Sequence, residues 1–305
     1  MIQSLIVTNY LGNKTQYNFG EVEPESGFIV TKIDGMGPVK ANVNTSHSAV
    51  ADGDTITSTR LGGRNLVIEG IFTYASTIEE ARLKSYKYFP IGKRVTVRIV
   101  TDNRIGETTG VVESNEPDPF SERETFQISI VCESPFFNDV GENGIVETMF
   151  AGVEKEFEFP FTNNSITENL IEFSQIVTKK TNTVYYNGDS ETGVLITIHA
   201  LGDVGDIDIY NIQTIEHMRI DMTKLEELTG SGMVNGDTIE INTIKGDRSV
   251  ALIRGGHRTN ILNVLNKHPD WFTLSKGDNL FTFVAADGEE NLTFTIRVQT
   301  TFDGV

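Results

Sequence analysis

The chain has 305 residues, 38% hydrophobic and 22% charged, enough apolar material for real cores and a length that suggests two domains. It carries 25 Lys plus Arg against 43 Asp plus Glu, a formal net charge of −18; such a surface repels nucleic-acid phosphates and anionic lipid, so neither is an expected partner. A single cysteine, Cys132, excludes an intramolecular disulfide and a Cys-based zinc site, and no apolar run approaches the roughly 20 residues of a membrane-spanning helix.

The charge is unevenly divided. Residues before Gly144 sum to −6 and those from it onward to −12. At the start, Met1–Val7 has no basic region followed by an apolar core. It reads as a first strand and not a secretory signal, and the protein is expected to be soluble and made in the cytoplasm.

Short alternating runs of Thr, Val and Ile then predict strands at Phe28–Ile33, Leu66–Tyr74, Val95–Val100, Gly110–Asn115 and Thr125–Cys132. In the second of these Leu66, Ile68, Gly70 and Phe72 share one face. In the last, Phe126, Ile128, Ile130 and Cys132 do, so the thiol is expected to be a small buried hydrophobe. One helix interrupts the strands. Ser76-Thr77-Ile78-Glu79 has capping-box spacing with Ser76 as the cap, Glu80–Phe89 is rich in helix formers, and Ile78, Ala81, Tyr86 and Phe89 form the expected apolar face. Pro90-Ile91-Gly92 ends it. Between strands lies the polar stretch Pro38–Arg60, rich in Asn, Ser and Asp, expected as a loop.

Glu133–Gly144 holds Ser134-Pro135, Asn138-Asp139 and Gly141-Glu142-Asn143-Gly144, which is turn and linker chemistry. It divides the chain into expected domains 1–140 and 141–305. Beyond it strands are expected at Glu154–Phe161, Val194–Ala200, Ile207–Asn211, Met218–Met222, Thr238–Asn242, Ser249–Ile253, Asn279–Ala285 and Asn291–Gln299. Helical turns are expected at Thr223–Thr229 and Asn260–Asn266. Turn pieces such as Asn235-Gly236-Asp237 and Lys245-Gly246-Asp247 join them. The expected fold class is therefore mainly β, sandwich- or barrel-like, with one clear helix in the first domain and a β-sandwich in the second.

The chemistry is sparse. None of His47, His199, His217, His257 and His268 belongs to a spaced catalytic or metal signature. Asp203, Asp206 and Asp208 could supply oxygen ligands to calcium but lack EF-hand spacing, and Asp52-Gly53-Asp54 reads as a turn. Gly62-Gly63 and Gly255-Gly256 complete no phosphate-binding fingerprint and read as bends or bulges. Trp271, the only tryptophan, is the one aromatic on which a sugar could stack, and Phe272 and Leu274 beside it favour a core position. No catalytic, metal or cofactor-binding residue is assigned, and the chain is expected not to be an enzyme.

The order of these pieces is familiar. Arg60-Leu61-Gly62-Gly63-Arg64 precedes the strand Val67-Ile68-Glu69-Gly70; a capped helix runs to Phe89-Pro90-Ile91-Gly92-Lys93; a strand leads to Thr101-Asp102-Asn103-Arg104; and Phe126–Cys132 runs into Glu133-Ser134-Pro135-Phe136-Phe137. This resembles the N-terminal domain of the distal tail proteins of tailed bacteriophages. Ile209-Tyr210-Asn211, Met218-Arg219-Ile220-Asp221, Gly236–Thr243 and Trp271-Phe272-Thr273-Leu274 are similar to the C-terminal part of the same family. The resemblance implies a galectin-like sandwich in the second domain, which does not by itself imply sugar binding. It also implies a homo-hexameric ring between the tail tube protein and the tail-tip hub, carrying receptor-binding proteins at the virion tail tip. Pro38–Arg60 is then the candidate inter-subunit arm. The alternative is a carbohydrate-binding module recognising host cell-wall glycan.

Overall fold

The computed structural model describes residues 1–20, 26–47, 52–73, 77–118, 124–154, 175–178 and 181–305. The chain separates into two compact units, Met1–Gly144 together with Thr301–Val305, and Ile145–Thr300. A second domain running to residue 305 leaves no place for this return of the last five residues to the first unit.

The first unit contains β1 (Ile2–Asn9), β2 (Lys14–Asn18), β3 (Phe28–Asp34), β4 (Ala41–His47), β5 (Asp54–Leu61), β6 (Arg64–Phe72), α1 (Ile78–Tyr88), β7 (Arg94–Thr101), β8 (Ile105–Asp118), β9 (Thr125–Cys132) and β10 (Phe137–Asp139). Its main sheet runs β2-β1-β7-β8-β9-β6-β3, with β10 joined to β8. Period-two alternation sends Leu5 and Val7, Leu66, Ile68 and Phe72, Val95, Val97 and Ile99, and Phe126, Ile128, Ile130 and Cys132 into one core. The sheet curls so that Tyr17 on one end strand meets Phe28 on the other, ring centroids 5.6 Å apart. No ladder joins β2 to β3, so the barrel-like expectation becomes a curled, open sheet.

Helix α1 is where expected, but its cap and face differ. Thr77, not Ser76, is the N-cap, its side chain accepting from the Glu80 backbone N–H; Ser76 lies outside the described residues. Tyr86 is 44% exposed, whereas Ala81, Ser85 and Phe89 are buried. A serine takes an inward position because its hydroxyl donates to Arg82 O (2.7 Å) and meets the Asn115 side chain on β8. That satisfied polar contact is invisible to a count of apolar residues.

The second unit contains β11 (Ile145–Glu154), β12 (Gln175–Thr178), β13 (Thr181–Tyr186), β14 (Thr192–Gly193), β15 (Leu195–Ala200), β16 (Ile207–Asn211), β17 (Glu216–Ile220), α2 (Met222–Thr229), β18 (Thr238–Asn242), β19 (Ser249–Arg254), β20 (His257–Asn260), β21 (Thr273–Leu274), β22 (Gly277–Ala285) and β23 (Leu292–Gln299). A seven-stranded antiparallel sheet, β12-β11-β23-β15-β18-β19-β20, and a four-stranded one, β13-β22-β16-β17, share one core. Phe283 on β22 stacks on Phe294 on β23, 4.9 Å between centroids, so the inner faces of the two sheets meet. This is a β-sandwich.

Gly255 and Gly256 lie between β19 and β20, both at positive φ (56° and 80°). That is the backbone of a two-residue hairpin turn, which L side chains resist. Asn260–Asn266 is reduced to a single 3-10 turn, Leu262–Val264. Most of the expected strand Glu154–Phe161 lies outside the described residues.

Candidate assembly surface of the first unit

The stretch Pro38–Arg60 is not a loop. Its body is the antiparallel hairpin β4–β5, a two-stranded sheet of its own. Every residue of both strands is exposed. A lone two-stranded hairpin is marginal in water, so its root is where to look for support.

The support is Arg64, the first residue of β6. Its side chain is 1% exposed, yet no carboxylate is among its hydrogen-bond partners. Its guanidinium instead donates to four backbone carbonyls: Gly35 O, Gly37 O (2.7 Å), Pro135 O (2.6 Å from Nη2, 3.2 Å from Nε) and Asp303 O (2.6 Å). It also lies over the Phe137 ring at 4.1 Å. Burial lowers the pKa of the guanidinium from its ordinary value, which leaves it charged. One side chain thus ties the approach to the hairpin, the segment after β9 and the C-terminal residues. At Gly63 a Cβ would come within 2.5 Å of Cys132 O, so only glycine admits the chain to this junction.

The segment 133–144, expected as a linker, is held the same way. Phe137 is fully buried, and β10 pairs with Thr301–Phe302, the last strand β24. Phe302 is buried under the Arg104 guanidinium at 4.3 Å. Arg104 also donates to Gly304 O, and Val305 N–H to Met36 O. The Arg64 and Ser134-Pro135-Phe136-Phe137 pieces of the sequence pattern are therefore neighbours in space. Their contact leaves no local pattern in the sequence, because 71 residues separate Arg64 from Pro135.

The residues weighed for chemistry are scattered. His47 contacts Asp54 (2.5 Å) at the exposed end of the hairpin. His199 meets Thr238 Oγ1 (3.0 Å) across the β15–β18 ladder, and His257 and His268 are exposed. His217 contacts Asp208 (2.7 Å) and stacks on Tyr210. Asp206 and Asp208 are both engaged by Arg219, at 2.6 and 3.3 Å. Burial pulls the Asp206 carboxyl up, but the Met222 N–H and Arg219 outweigh it and hold it below the usual range. A guanidinium thus already engages Asp206 and Asp208, two of the three carboxylates that could have supplied oxygen ligands to calcium. Among the described residues no group of three or more His, Cys, Asp or Glu could hold a metal ion.

Trp271 is half-buried against the sandwich core, with the Arg248 guanidinium 5.2 Å from its ring centre. Cys132 is a buried free thiol, its pKa raised by burial. No described helix is long and apolar enough to cross a membrane.

No protein-family model matches the sequence, and no curated protein matches it. Among solved structures, the Dit protein of phage SPP1, described as a paradigm of the hub adsorption apparatus in Gram-positive-infecting phages, aligns over 98% of this chain and 99% of its own. The TM-score is 0.63 at 12% identity.

The chain has the fold of a phage hub protein.

Two structures of the phage P2 baseplate in its activated conformation, with calcium and with strontium, align over the whole of both chains. Their identities are 12% and 11% and their TM-scores 0.41 and 0.39. The alignment with the Dit protein spans both units.

Proposed function

We propose that this chain is a structural component of the tail tip of a phage or prophage-derived particle. Six copies form a ring that connects the tail tube to the tail-tip hub and its receptor-binding proteins, after assembly in the bacterial cytoplasm. The observation that carries this reading is the hub fold extending over nearly the full length of both chains. Residues 1–140, with Thr301–Val305 returned to them, are the ring-forming part, and the second unit is a galectin-like sandwich. The chain is not an enzyme and takes no cofactor. Some of the sandwich's charged groups are held in pairs with one another, such as Arg219 with Asp206 and Arg254 with Asp237. The glycan-binding alternative relied on Trp271 as a platform, and that ring packs against the core.

Light scattering on the purified chain tests the stoichiometry. The proposal expects a species of six times the 33.8 kDa of the chain; a strict monomer at high concentration argues against it.

A further inference from the structure

The hairpin β4–β5 carries one irregularity. Its register moves from Asn44 opposite Ser58 to Thr45 opposite Ile56, leaving Thr57 as an extra residue. Cross-strand partners share a face. Before the shift, Ala41 pairs with Leu61 and Val43 with Thr59; after it, Thr45 pairs with Ile56 and His47 with Asp54. On β4 the residues Ala41, Val43, Thr45 and His47 alternate onto one face. The bulge therefore moves Ile56 onto the face that carries Val43 and Leu61. The opposite face holds Asn42, Asn44, Ser46, Thr55, Ser58 and Arg60, and the Asn44 and Ser58 side chains bond there at 2.9 Å. In unbroken alternation Ile56 would stand among those polar groups. The hairpin is thus two-faced, and its apolar face is bare: Val43, Ile56 and Leu61 are 49%, 64% and 40% exposed.

A second bare apolar surface lies elsewhere on the same unit. Tyr10 and Leu11 in the β1–β2 turn and Ile91 after α1 are all exposed. Asn9 Nδ2 donates to Lys87 O (2.8 Å), and Lys93 Nζ lies 5.7 Å from the Tyr10 ring centre, which gathers the turn and the end of the helix into one patch. Its charged members, Lys87 and Lys93, are basic. The described residues at the far end of the hairpin instead include Asp52 and Asp54, the latter beside His47. The two surfaces match in apolar content and are opposite in charge.

We infer that the apolar face of the hairpin of one copy seats on the Tyr10–Leu11–Ile91 patch of a second copy, with Asp52 and Asp54 toward Lys87 and Lys93. The contact joins unlike surfaces, so it propagates from copy to copy and closes into a ring. This rests on the ring proposed above and names the contact that makes it.

A charge-swap mixing experiment tests it. One variant carries Asp52→Lys and Asp54→Lys; another carries Lys87→Glu and Lys93→Glu. All four residues are exposed, and circular dichroism of each variant checks the monomer fold. Each variant alone sets like charge against like at every junction and is expected to form at least tenfold fewer rings than the parent protein. Mixed in equal amounts, the two restore opposite charges at every junction of an alternating ring, and the ring population should recover. Ile56→Cys with Ile91→Cys should link copies into a disulfide ladder, because Cys132 is buried and does not compete. Rings formed by each variant alone at parental yield, failed recovery in the mixture, or no ladder from a parent that does form rings would overturn the contact and leave the ring standing. A parent that forms no ring sinks the ring itself.

Discussion

Replacing Arg64 by methionine keeps an unbranched chain over Phe137 but removes every guanidinium donor. Four carbonyl oxygens, on Gly35, Gly37, Pro135 and Asp303, then lose a charged partner. Hydrogen bonds to charged groups contribute about 1.5–3 kcal/mol each. Recovered desolvation of the guanidinium and water entering at the chain ends bring this nearer 1 kcal/mol per carbonyl, so the change should cost about 4 kcal/mol. The loss should fall on the first unit, where all four carbonyls lie. Two probes separate the units. Trp271, the only tryptophan, reports on the second. Cys132, fully buried in the first, reports through its reaction with a thiol reagent, which requires opening. Where opening is fast relative to labelling, about 4 kcal/mol accelerates Cys132 modification by about 10³-fold. The circular-dichroism transition of the first unit should move down by about 2 M urea at a slope near 2 kcal/mol per M, while the Trp271 transition stays in place. A change under about 1 kcal/mol, or a shift in the Trp271 transition with Cys132 labelling unchanged, would refute the view that Arg64 organises this junction.

Three further outcomes follow from the same contacts. Phe302→Ala should destabilise the first unit by about 3 kcal/mol, read by Cys132 labelling, although residue 302 lies far along the chain beyond the sandwich; equal labelling rates would contradict it. Asp237 is buried and bonded by Arg254 at 2.6 and 2.9 Å. Burial raises its carboxyl pKa, but Arg254 and the Val234 N–H outweigh this and set it below the ordinary value. A depressed folded pKa gives stability that is present above the unfolded value near 4 and lost as pH falls through the folded one. Asp237→Asn should therefore destabilise the sandwich at pH 7 and lose less than the parent between pH 5 and pH 2, as followed by Trp271 fluorescence; parallel pH curves would contradict this. Ile56→Arg places a charge on the bare hairpin face and should abolish rings while shifting monomer stability by no more than about 0.5 kcal/mol, seen by light scattering beside thermal unfolding.

Most strands with strict alternation are legible in the sequence to within a residue or two, whereas the expected Gly110–Asn115 is only the middle of β8, Ile105–Asp118. Ile207–Asn211 and Thr238–Asn242 coincide with β16 and β18, and the Phe126–Cys132 face is buried as read. Thr181–Tyr186 is not an expected strand although Val184 and Tyr186 fill the core: its three apolar residues, Val184, Tyr185 and Tyr186, are consecutive and show no alternation. The hairpin β4–β5 reads as a loop in the sequence because its polar face and its threonines mask the apolar one, and the bulge at Thr57 breaks the very period by which a strand is recognised. The C-terminal strand was hidden for another reason. Thr301–Phe302 acquires its meaning only from β10, and contacts at that separation leave no local pattern. Arg64 lies within the pattern Arg60-Leu61-Gly62-Gly63-Arg64, but a buried arginine whose partners are carbonyls has no carboxylate in the sequence to announce it.

The proposed function requires a six-membered ring built from the first unit. Negative-stain microscopy of the purified chain tests it most directly. The account predicts closed particles with six-fold symmetry and a central channel, lost in Ile56→Arg. Monomers only, or open filaments at every concentration, would contradict it.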